Sequence, residues 1–137
     1  MTQRSFQIVL LIAAVTVGCA QSKADNESLR ASFADRISES SFVSDFTREG
    51  DELSFLGPDR DGGSVEWRVR IDTSLVEPNL FDEAMPYVGR ITSEWTADGE
   101  IVGFLGNMTA LSQEFLDRGL GQECWAYWVE AENRWDW

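Results

Sequence analysis

Between Ser64 and Asp72 the chain alternates without a break. Val65, Trp67, Val69 and Ile71 fall on one side of an extended backbone, and Glu66, Arg68, Arg70 and Asp72 fall on the other. Successive side chains of a strand point to opposite faces, and β-branched and aromatic residues fill the apolar side, so this segment reads as a half-buried strand. A slip of one residue would bury four charges in place of four apolar groups, which fixes the register. A strand with one wet face belongs to an antiparallel sheet.

A chain of 137 residues with 43% hydrophobic content is long and apolar enough for one domain with its own core. Its 24 acidic and 11 basic residues give a net charge of −13. That balance argues against nucleic acid and anionic lipid headgroups, both of which need Lys and Arg, so a charged partner is expected to be basic. Histidine is absent and the sole lysine is Lys23, so no usual nucleophile–base pair can be assembled. No cofactor or metal is predicted. Asp59 and Asp61 have the spacing of the first two ligands of a calcium loop, but Gly63 and Arg70 occupy later ligand positions, and an Asp/Gly turn is the better reading.

The first residues read as an address. Arg4 precedes an apolar run over Ile8–Val17, too short for a bilayer span of about 20 residues but suited to a secretory signal. Thr16-Val17-Gly18-Cys19 resembles the lipobox of bacterial lipoprotein precursors, with Thr16 where Leu is usual. The resemblance implies a signal peptide over 1–18, a lipidated Cys19 and a tether over 19–25, followed by one globular domain over 26–137. It further implies a lipid anchor in the cell envelope, with Ala20 favouring the outer membrane. Two other readings stay open, namely ordinary cleavage after Ala20, which would release a soluble protein, and a retained signal anchor. On either of the first two, Cys124 is the one remaining thiol. Between Glu123 and Trp125, with no histidine to activate it, it reads as a small buried hydrophobe.

In the domain, Asp25 or Asn26 caps a helix over about Asn26–Glu39 whose narrow apolar face is Leu29, Phe33 and Ile37. A hairpin turns at Glu49-Gly50-Asp51. Leu80–Met85, bracketed by Pro78 and Pro86, reads as one or two helical turns. A second hairpin turns at Asp98-Gly99, where a two-residue turn sets Trp95 opposite Val102 and a bulge sets it opposite Ile101. Met108, Leu111, Phe115 and Leu116 make a second helix, stopped by Gly119. The fold predicted is α+β. It has a single twisted antiparallel sheet of about five or six strands, with an N-terminal helix and a second helix packed mainly on one face. The element order is similar to that of cystatin-like sheets wrapped on a helix.

Four of the six tryptophans lie in the last thirteen residues. A single strand through Glu123–Trp137 would be about 50 Å long, too long for a body of this size, so a bend is expected at Ala131–Arg134. Trp125, Tyr127 and Val129 are expected in the core. Trp135 and Trp137 are expected to be at least partly exposed and, with Trp128, to form a contact surface. The function expected is that of an envelope-anchored, non-enzymatic binding module for a basic protein or a glycan. One alternative is an immunity-type inhibitor of a basic toxin or hydrolase. Another is a small hydrolase of envelope glycan that uses a carboxylate pair.

Overall fold

The computed structural model describes residues 23–59, 61–102 and 110–137. The signal segment, the lipobox-like Thr16–Cys19 and Met108 lie outside the described residues. The first helix, α1, spans Asn26–Ser38. The Asp25 carboxylate accepts the Ser28 N–H at 2.8 Å, and the Ser28 hydroxyl accepts the Asp25 N–H at 3.1 Å. This reciprocal capping box satisfies two backbone donors that the first turn leaves without partners. Leu29, Phe33, Ala34 and Ile37 form the buried stripe of α1.

The strands follow as β1 (Ser44–Glu49), β2 (Glu52–Pro58), β3 (Ser64–Pro78), β4 (Tyr87–Ala97) and β5 (Glu100–Ile101). A second helix, α2, covers Ala110–Asp117, then come β6 (Glu123–Val129), a 3-10 turn at Glu130–Glu132 and β7 (Arg134–Asp136). All seven strands join one antiparallel sheet in the order β1-β2-β3-β4-β6-β7. The free edge of β4 is shared: Tyr87–Thr92 pairs with β6, and Thr96–Ala97 pairs with β5. The chain is therefore α+β with a single antiparallel sheet, and the sheet has one strand more than the sequence predicts. The addition is β7, made when the C-terminal segment folds back on itself.

Three local features follow from particular side chains. Asp98 and Gly99 both take positive φ, at 52° and 79°, and the Val102 N–H donates to the Trp95 carbonyl at 2.9 Å. The two-residue turn thus holds, with Trp95 opposite Val102. β3 continues past Asp72 to Pro78 through a bulge between Ile71 and Thr73. Leu80–Met85 is not helical: the Asn79 side chain accepts the Phe81 N–H and donates to the Met85 carbonyl, and the Asp82 side chain accepts the Ala84 N–H. Side chains that bind neighbouring backbone groups compete with helix formation.

Trp67, Val69 and Ile71 of the alternating strand are buried, and Val65 is half-buried. Phe55 stacks on Trp67 with centroids 6.1 Å apart. Trp95 receives Phe33 of α1 edge-on at 6.4 Å and Phe115 of α2 at 5.0 Å. Its indole N–H donates to the buried Ser93 hydroxyl at 2.9 Å, and that hydroxyl donates to the Gly121 carbonyl. At Gly119 (φ 83°) α2 ends in a Schellman motif, with the Leu120 N–H on the Phe115 carbonyl and the Gly119 N–H on that of Leu116.

A helix side chain meets the sheet backbone closely at Gly89. A Cβ there would lie 2.6 and 2.8 Å from the methyl carbons of Leu29, which is wholly buried, and 3.1 Å from the Trp135 ring. Gly89→Ala is expected to cost about 1–3 kcal/mol by overpacking. Trp67→Ala is expected to cost about 3–5 kcal/mol, against less than about 1 kcal/mol for Arg68→Ala on the wet face. Urea unfolding of the three variants checks both the contact and the assignment of faces.

Candidate functional site

The C-terminal segment departs most from expectation. β6 pairs with β4 so that Gly89 lies opposite Ala126 and Ile91 opposite Cys124. Gly89 faces Leu29 of α1, whose methyl carbons leave no room there for a larger side chain, and Ile91, Cys124 and Ala126 are buried on the same inner face. Cys124, Ala126 and Trp128 are consequently buried, while Trp125 and Tyr127 point out, 49% and 43% exposed, and Val129 is only half-buried. The predicted faces of β6 are reversed. The register against β4, with Gly89 opposite Ala126 and Ile91 opposite Cys124, fixes the phase.

The chain then turns through Glu130–Glu132 and Asn133, whose φ is 49°. This turn sets Trp135 opposite Trp128, so both share the inner face. The expectation of at least partial exposure is corrected for Trp135, while Trp137 is partly exposed as expected. Trp135 is buried against Trp128 at 5.3 Å, and Trp137 is partly buried against Phe33 at 5.7 Å. Their indole N–H groups are also satisfied. Trp135 donates to Ser28 at 3.1 Å, Trp137 to Ser32 at 2.9 Å and Trp128 to Glu130 at 2.9 Å. The signal missed in the sequence is Asn133, a residue type that tolerates the left-handed conformation and so marks a reversal.

The exposed aromatic surface therefore lies on the opposite face of the same strand. The register places Leu75, Arg90 and Trp125 in one row across β3, β4 and β6, and Glu77, Val88 and Tyr127 in the next. The Arg90 guanidinium stands 6.0 Å from the centre of the Trp125 ring and 3.4 Å from the Glu123 carboxylate, which holds both in place. Towards β2 the outer face becomes charged. Arg68 pairs with Glu66 at 2.8 Å, and Arg70 with Asp72 at 3.0 Å and Glu94 at 3.6 Å. The hydrogen bonds that Arg68 donates to Glu66 and Arg70 donates to Asp72 raise the pKa of both arginines. A shallow groove of about 290 Å³ crosses this charged half, beside Thr47, Glu52 and Arg70.

An open groove of about 640 Å³ runs beside α1 and is lined by Asp25, Glu27, Asp35, Trp128 and Trp135. Here two of the predicted tryptophans lie near carboxylates. Asp25 is engaged in the helix cap, and Glu27 pairs with Arg30 at 3.2 Å and Arg48 at 3.4 Å. In the loop after β2, the Asp59 carboxylate accepts the N–H groups of Asp61 and Gly63. Its use is to build the turn. Among the described residues no group of three or more His, Cys, Asp or Glu is placed to hold a metal ion.

Burial pushes the Cys124 thiol up to about 12. Comparison with protein families, with curated proteins and with solved structures finds no match for this chain.

Two outcomes follow from this geometry. The folded protein should leave Cys124 unreacted with a thiol reagent at pH 8. Because the unfolded thiol ionises near its ordinary value of 9.0 and the folded one only near 12, stability should fall with rising pH between these values, more so than in Cys124→Ala. Removing Asn133–Trp137 should unfold much of the protein, since truncating a buried Trp alone costs about 3–5 kcal/mol. Denaturant midpoints across pH, and the circular dichroism of the truncated chain, check these.

Proposed function

We propose that this chain is the precursor of an envelope-anchored binding module and that it acts by contact, not by catalysis. The observation that carries the reading is the pair of exposed aromatic side chains on β6, Trp125 and Tyr127, which share the outer face with exposed Leu75 and half-buried Val88 around Arg90. Exposed aromatic groups with polar neighbours anchor interfaces. In this reading both helices sit on the inner face of the sheet and leave the outer face for the partner. The shared contacts of Phe33 and Phe115 with Trp95 support that arrangement. The lipobox-like Thr16–Cys19 supports an anchored, outer-membrane location, with a soluble secreted form as the alternative. Among the described residues no helix is long and apolar enough to cross a membrane.

The partner is a basic protein or a glycan, since a net charge of −13 selects against acidic macromolecules. Trp125→Ser combined with Tyr127→Ser should change stability by no more than about 1 kcal/mol, yet abolish recovery of a partner from solubilised envelope at low salt. Undiminished recovery would remove this face as the site. Separately, Cys19→Ser should abolish labelling by a fatty-acid probe. Unchanged labelling would rule out the lipobox.

A further inference from the structure

The loop over 79–86, between β3 and β4, carries the most exposed large apolar side chains among the described residues, Leu80 at 89% and Phe81 at 98%. Loops that expose such groups are usually loose, but this one is pinned. The Asn79 N–H donates to the Pro86 carbonyl at 2.7 Å, and the Asn79 side chain reaches both the Phe81 N–H and the Met85 carbonyl. The Met85 N–H donates to the Asp82 carbonyl, and the Glu130 N–H of the 3-10 turn holds the Ala84 carbonyl at 3.1 Å. Pro78 and Pro86 fix the backbone on either side. Leu80 and Phe81 are thus held out in water by a scaffold that does not use them. A preorganised finger of this kind loses little conformational entropy when it enters a pocket.

The charge around the finger identifies its occupant. Asp82 and Glu83 follow the apolar pair directly, and the exposed Glu77 precedes it on β3. The contact from Glu130 to Ala84 brings the Glu130–Glu132 turn alongside. Arg134, which follows that turn, is already paired with Glu132 at 3.1 Å and Asp136 at 3.6 Å. An acidic collar around an apolar tip repels anionic bilayers and acidic proteins, and it attracts a cationic surface. We propose that loop 79–86 is a docking finger for a basic protein. Leu80 and Phe81 fill an apolar pocket on that protein, and Asp82 and Glu83 pair with cations at the pocket rim. This rests on the binding-module reading and adds to it a second surface and the class of partner.

The test places photoreactive p-benzoylphenylalanine at position 81 in the full-length chain, produced in its own cells, and at position 125 in a parallel chain. The expected product at position 81 is an adduct with a protein of pI above about 9. Its yield should fall by about fivefold or more when salt rises from about 0.05 to about 0.5 M, and likewise in Asp82→Asn with Glu83→Gln. Leu80→Ser with Phe81→Ser should keep the wild-type melting temperature and compete poorly for the same protein. An adduct with lipid, with a second copy of this chain or with an acidic protein would overturn the proposal, as would a yield indifferent to salt. An adduct at 125 but none at 81 would overturn the finger and leave the module standing. No adduct at either position would overturn both.

Discussion

Leu29 resting on the backbone of Gly89 is the contact on which the rest of the molecule depends. There a helix side chain meets a strand backbone with no room for a Cβ. Opposite Gly89 lies Ala126, which turns inward with Cys124, and Trp125 and Tyr127 turn to solvent. Because strand periodicity is two, that register assigns every residue of β6 to a face. It also puts Trp128 inside, which gives Trp135 a partner when the chain reverses. The pairing of β6 with β4 thus sets both the inner layer beside Gly89 and the location of the exposed aromatic surface.

The outer face divides into two chemistries along the same strands. Over β2, β3 and the far half of β4 it is a charged lattice in which each arginine meets a carboxylate on its own strand or the next. Exposed pairs of this kind add little stability, but they keep that half soluble and free of apolar patches. Over the near half of β4 and β6 the charges thin out, and Leu75, Val88, Trp125 and Tyr127 take their place. The boundary falls at the bulge between Ile71 and Thr73, where the two halves of β3 stop sharing one alternation. A bulge that re-aims a strand can separate a solubilising surface from a contact surface without any change of element.

Legibility in the sequence followed the range of the forces involved. The helix cap at Asp25, the stripe Leu29/Phe33/Ile37, the alternation through Trp67 and the left-handed stop at Gly119 are local patterns, and each was readable from neighbours alone. The turn at Asp98-Gly99 was narrowed to two geometries, and the structure takes the one with positive φ at both residues and Thr96 opposite Ile101. The loop 79–86 was misread because its prolines and apolar pair resemble a short helix, whereas Asn79 and Asp82 divert the backbone hydrogen bonds. The faces of β6 were misread for another reason. With aromatic residues in both phases, hydrophobicity alone could not choose, and the pairing with β4, far away in the chain, does. Of the tryptophans expected to form a contact surface, Trp128 and Trp135 are buried, and the exposed aromatic residues of β6 are Trp125 and Tyr127.

Trp135 and Trp137 reach back to Ser28 and Ser32, one turn apart on the first helix, so the last strand and first helix of the domain are clasped together. The two hydrogen bonds of that clasp join residues 107 and 105 positions apart. Until they form, the apolar stripe of α1 lacks part of its cover, and the edge of β6 lacks its neighbour. Contacts of such long sequence separation form late, so closure of the domain is a late step of its folding.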